Sequence, residues 1–143
     1  FFVAMSDGAA PDQDDRGRLD GHRVEVLMRV RPSQEREPSS EPVVQAFNGF
    51  IRLSSSGGES TMHGADAVLG PDASQEAVFA RVQGVVSHFL AGGNGVIAAY
   101  GAGGSGKTYT LVGERGPPLR GILPRALEAA LRWVEENTDA RHP

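Results

Sequence analysis

The segment Gly101-Ala102-Gly103-Gly104-Ser105-Gly106-Lys107-Thr108 has the spacing G-x-x-x-x-G-K-[ST] of a phosphate-binding loop. It constrains the fold because such a loop works only at a strand-to-helix turn. The apolar run Gly95-Val96-Ile97-Ala98-Ala99-Tyr100 before it predicts a buried strand, and Lys107 to Val112 can start a helix. The glycines let backbone N–H groups turn inward around a phosphate, where side chains would block the approach. The positive end of the helix dipole points at the same anion. Lys107 is expected to reach the β- and γ-phosphates as a point charge. The Thr108 hydroxyl is expected to ligate Mg²⁺, which takes few protein ligands and keeps several waters.

Lys107 is the only lysine; the other thirteen basic residues are arginine. Arginine's planar fork suits exposed phosphates and carboxylates, whereas a tight loop needs a compact ammonium on a slim stem. The competing reading, a glycine-rich turn that matches by chance, has some footing in the 19 glycines of this chain. It does not explain a lysine placed at this one position.

At 143 residues the chain has room for one domain. Its hydrophobic content is 39% and its aromatic content 6%, so a thin core of Val, Ala and Leu is expected. A net charge of −4 argues against a nucleic-acid binder. There is no cysteine, which excludes disulfides, thiolate chemistry and Cys-based zinc sites. No apolar run approaches the roughly 20 residues of a membrane span. Phe1 to Met5 is too short for a signal-peptide core, so a soluble intracellular protein is the expectation. Met5 could be the true start, with residues 1–4 as read-through, or the chain is cut from something larger.

Residues 1–21 read as a disordered polar leader, with five aspartates among residues 6–21. Arg23 to Arg31 alternates, with Val24, Val26, Met28 and Val30 on one face, and predicts a strand ended by Pro32. A surface loop over 33–42 follows. Val43 to Phe47 and Phe50 to Leu53 flank Asn48-Gly49, a hairpin signal that favours positive φ at both turn residues. Ser54 to Thr61 reads as a flexible connector. A helix capped by Ser74 or Asp72 carries Val78, Phe79, Val82, Val85, Val86, Phe89 and Leu90 on one face and stops at Gly92-Gly93. An exposed loop over 112–121 leads to a last helix from Pro124, with Leu127, Ala130, Leu131 and Val134 on its apolar side.

His22, His63, His88 and His142 show no metal spacing, and no serine has a nucleophile-elbow context. No carboxylate pair stands out as acid and base. The phosphate loop is the one chemical site the sequence declares. It implies nucleotide binding; phosphoryl transfer also needs groups that orient water and sense the γ-phosphate, and these are not identifiable here.

Four motifs then stand in a telling order: Arg29-Val30-Arg31-Pro32, Ser74-Gln75-Glu76-Ala77-Val78-Phe79, Gly95 to Leu111, and Gly121-Ile122-Leu123-Pro124. Together they resemble the N-terminal part of a kinesin motor domain, over residues 22–143. The resemblance implies an α/β, P-loop NTPase fold: a mixed central sheet with helices on both faces, incomplete in this chain, and the hairpin in a side lobe. It implies ATP with Mg²⁺, and places Arg29, Arg31, Pro32 and Tyr109 around the adenine; for Arg29 and Arg31 the plainer alternative is solvent-facing strand charge. It implies a microtubule as partner, engaged through segments beyond this chain, and a cytoplasmic, cytoskeletal location. Any homodimer would form through regions outside this chain.

The chain departs from the pattern at Ala102-Gly103, where Gln-Thr is usual, and at His63, Ala65, Gly93 and Ala98, where aromatics are common. It looks like a divergent member and a fragment. The readings that follow are an ATP-driven microtubule motor represented by its nucleotide-binding front, or a kinesin-like module that binds nucleotide or microtubules without stepping. An unrelated phosphate-loop NTPase or kinase needs neither the R-x-R-P strand nor the S-Q-E-x-V-F helix.

Overall fold

The computed structural model describes the backbone of residues 2–8 and, in full, residues 24–33, 44–55 and 57–138. The surface loop expected over 33–42 lies almost entirely outside these, as do residues 9–21 of the leader.

Alternation in the first predicted strand yields β2 (Glu25–Arg29). Its Leu27, Met28 and Arg29 are all buried, so both faces are covered, in keeping with an apolar Leu27 on the charged face. β2 pairs in parallel with a short strand absent from the sequence reading, β6 (Ala67–Leu69). Asp66 fixes that junction: its carboxylate accepts from the Val26 N–H at 2.8 Å and its own N–H donates to Val26 O at 3.0 Å.

On the other side of β2 lies β1 (Phe2–Gly8), antiparallel both to β2 and to β7 (Asn94–Tyr100). The disordered leader is thereby corrected over residues 2–8, which form a strand. The sheet order β6-β2-β1-β7 is mixed, and among the described residues β6 and β7 are its edges. A three-stranded antiparallel sheet, β3 (Val44–Phe47), β4 (Phe50–Ser54) and β5 (Ser60–Gly64), stands apart as the side lobe. Its first hairpin turns at Asn48-Gly49, but only Gly49 has positive φ, at 82°. β5 overlaps the flexible connector read over Ser54 to Thr61 only at Ser60 and Thr61, and continues through Met62 to Gly64.

Ser74 caps α1 (Gln75–Leu90), its hydroxyl accepting from Ala77 N–H at 3.1 Å. Val78, Val82 and Val86 are buried and Phe89 is exposed, so the inward face is narrower than the apolar stripe. Val78 and Val82 join Leu27, Ala67 and Ile122 in the core, each side chain of this size contributing about 1.5–3 kcal/mol when fully buried. α1 packs on β1 and β7, and α3 (Ile122–Thr138) packs on α1. α3 starts two residues before the predicted Pro124, which sits in its first turn where no intrahelical N–H is required.

Two expectations of burial are corrected. Val96 and Tyr100 of β7 are 64% and 77% exposed, because α1 covers the Ile97 and Ala99 face and β7 has one strand neighbour among the described residues. On α3, Leu127, Leu131 and Val134 are exposed, since the helix meets α1 through a different side. No described helix is long and apolar enough to cross a membrane.

Candidate functional site

The phosphate loop runs from the end of β7 into α2 (Lys107–Leu111), the strand–loop–helix arrangement expected from its spacing. Gly104 and Gly106 take φ of 73° and 96°, backbone open to glycine and strained for other residues. A Cβ at Gly103, Gly104 or Gly106 would meet nothing within 4 Å, so the glycines border open space. α2 has only five residues, which leaves the loop's own N–H groups and Lys107 as its main means of holding an anion.

Lys107 lies across the start of the loop. Its Nζ donates to Gly101 O at 2.8 Å and to Ala102 O at 2.7 Å. Ser105 N–H closes a turn onto Ala102 O at 3.3 Å, and the Ser105 hydroxyl oxygen is buried with no hydrogen-bond partner among the described residues. A buried hydroxyl of that kind costs free energy until something bonds it. A donor-rich loop with an ammonium, an orphaned hydroxyl and an exposed Thr108 fits a phosphate chain with its cation. No cluster of acidic residues or histidines suited to a metal occurs among the described residues.

The four residues expected at the adenine come from two segments, Tyr109 from α2 and Arg29, Arg31 and Pro32 from the end of β2 and just beyond it. Tyr109, 36% exposed, lies under Arg29, whose guanidinium carbon is 5.4 Å from the ring centroid. Arg29 itself is 8% exposed, which excludes the solvent-facing reading. Its guanidinium is held by the surrounding scaffold. Nη1 donates to Thr110 Oγ1 at 2.8 Å and Gln75 Oε1 at 3.0 Å, and Nη2 to Ala73 O at 3.2 Å. Burial pushes its pKa below the ordinary arginine range, with Tyr109 opposing; arginine stays charged regardless. Arg31 and Pro32 follow beyond the strand; Arg31 Nη1 donates to Pro32 O at 2.9 Å, and Pro32 is exposed.

Gln75 and Thr110 were not singled out as site residues from the sequence. Both are buried, and Gln75 Nε2 also donates to Tyr109 O at 2.7 Å and Leu119 O at 3.4 Å. The available signal was spacing: Gln75 precedes Val78 and Val82 on the same helix face, a polar side chain on the apolar stripe.

A family model for the kinesin motor domain matches residues 29–142. The chain is 36% identical over 115 residues to the kinesin-like protein KIN-14T of Arabidopsis thaliana, a match covering 80% of this chain and 13% of that protein. It is 40% identical over 114 residues to kinesin-like protein KIN-14M of the same plant, covering 73% and 15%. With kinesin-like protein klp-3 of Caenorhabditis elegans it shares 33% identity over 149 aligned positions, covering 96% and 25%. The chain therefore spans a quarter or less of the length of these relatives. Phosphate loop, flanking strand and helix, and the match over 29–142 agree: the chain belongs to the kinesin family and has the P-loop NTPase fold of its motor domain.

Proposed function

We propose that this chain is the nucleotide-binding front of an ATP-driven microtubule motor acting on the cytoplasmic cytoskeleton. The observation that carries the reading is the strand–loop–helix at 94–111, with Lys107 poised across glycines that leave open space. Lys107 would exchange its two carbonyl acceptors for β- and γ-phosphate oxygens, and residues 101–106 would supply N–H donors. The Ser105 hydroxyl would gain its missing partner. Thr108 would hold Mg²⁺, which when bound neutralises charge on the phosphates. The exposed face of Tyr109, with Pro32 and Arg31, would cover the adenine. Microtubule contact and force production would belong to segments outside these residues.

Equilibrium binding of a fluorescent ATP to the full-length protein, with and without Mg²⁺, tests the assignment. Binding is expected to strengthen with Mg²⁺ in wild type and to lose that dependence in Thr108→Val. Mg²⁺-independent binding in wild type would contradict the role given to Thr108.

A further inference from the structure

The helix that carries Lys107 is too short to hold itself. Five residues are far below the roughly 12–15 at which isolated helices become even marginally stable, so the direction of α2 must be imposed from outside. Thr110 lies one turn below Lys107, and its N–H closes that turn onto Gly106 O at 2.9 Å. Its hydroxyl is bonded by Arg29 from β2, 81 positions earlier in the chain. Gln75, the first residue of α1, joins the same guanidinium and also grips the α2 backbone at Tyr109 O. All three side chains are more than nine-tenths buried. Two elements of the scaffold thus converge on one turn of α2.

We propose that Arg29, Gln75 and Thr110 form a positioning hub that sets the phosphate loop for its anion, with Arg29 acting through α2 and not as a contact to the base. The proposal rests on the nucleotide-binding reading above. A base contact and a hub differ in what they make ligand affinity depend on. A base contact affects ATP and leaves inorganic tripolyphosphate alone. A hub affects both alike, because it fixes Lys107 and the loop. A role confined to fold stability lowers the melting temperature but leaves the affinity of the folded protein unchanged.

The test is displacement of a fluorescent ATP from the full-length protein by Mg·ATP and by Mg·tripolyphosphate, well below the melting temperature of each variant. Wild type, Thr110→Val, Arg29→Lys and Lys107→Ala are compared. Thr110→Val removes one hydroxyl that touches no ligand. Arg29→Lys keeps the charge but cannot reach Thr110, Gln75 and Ala73 together. Both are expected to bind each ligand about tenfold more weakly, with the ratio of the two affinities unchanged. Loss on ATP alone, or unaltered affinity for both, overturns the hub. Failure of even Thr110→Val to fold overturns it too, since the hub would then serve the fold and not the loop. Wild type that binds neither ligand overturns the nucleotide reading itself, an outcome separate from the others.

Discussion

Lys107 Nζ donates to Gly101 O at 2.8 Å, so the one lysine of the chain is tied to the residue at which its loop begins. A second carbonyl, Ala102 O, lies 2.7 Å from the same nitrogen. A compact ammonium can serve both and turn away to a phosphate, whereas a guanidinium fork is too broad for that position. Lys107→Ala is expected to lower ATP affinity about a hundredfold, corresponding to roughly 3 kcal/mol for hydrogen bonds to a charged group. Lys107→Arg should restore less than a tenth of that loss. Displacement of a fluorescent ATP measures both, and full rescue by arginine would show that charge alone matters here.

Gly93 stands against the His88 ring. A Cβ at Gly93 would lie 2.1 Å from His88 Nε2, closer than any real contact, although the atom met is the end of a side chain that can swing away. Gly93→Ala is expected to cost about 1 kcal/mol. In His88→Ala/Gly93→Ala the second substitution should add almost nothing, a coupling that a double-mutant cycle by urea unfolding reads directly.

At Gly113 the obstacle is backbone. φ is 77°, and a Cβ would fall 2.1 Å from Leu119 O and 2.4 Å from Gly121 N. Here the 112–121 segment folds back, with Gly121 N–H donating to Val112 O at 3.0 Å. Gly113→Ala should cost at least about 2 kcal/mol, with no side-chain substitution to relieve it.

Gly84 is the opposite case. It is exposed within α1, and a Cβ there meets nothing within 4 Å. Gly84→Ala should stabilise the protein by about 0.5–1 kcal/mol through lower chain entropy and better helix propensity. Thermal unfolding should show a rise in Tm of a few degrees, and a fall would contradict the open space assigned to this position.

Local chemistry made much of this legible in the sequence. The Ser74 cap, the Asn48-Gly49 hairpin and the turn from β7 into α2 each depend on neighbours within a few residues. What was not legible depends on distant partners. β5 is Ser-Thr-Met-His-Gly, a polar run that becomes a strand because β4 offers it a ladder. β6 is three residues long and exists through its pairing with β2. The exposure of Val96 and Tyr100 follows from which elements flank β7, which no periodicity within 94–100 contains. Arg29 shows the limit most clearly. Its place in the R-x-R-P motif was evident, but its hydrogen bonds go to residues 46 and 81 positions away, which no local pattern names.

The most direct measurement is Mg·ATP turnover by the full-length protein, with and without microtubules, beside Lys107→Ala. Turnover stimulated by microtubules and abolished by the substitution is the predicted result. Nucleotide bound without stimulated turnover would contradict a motor and point to a non-stepping module. Turnover that survives Lys107→Ala would contradict the place of this loop at the centre of the chemistry.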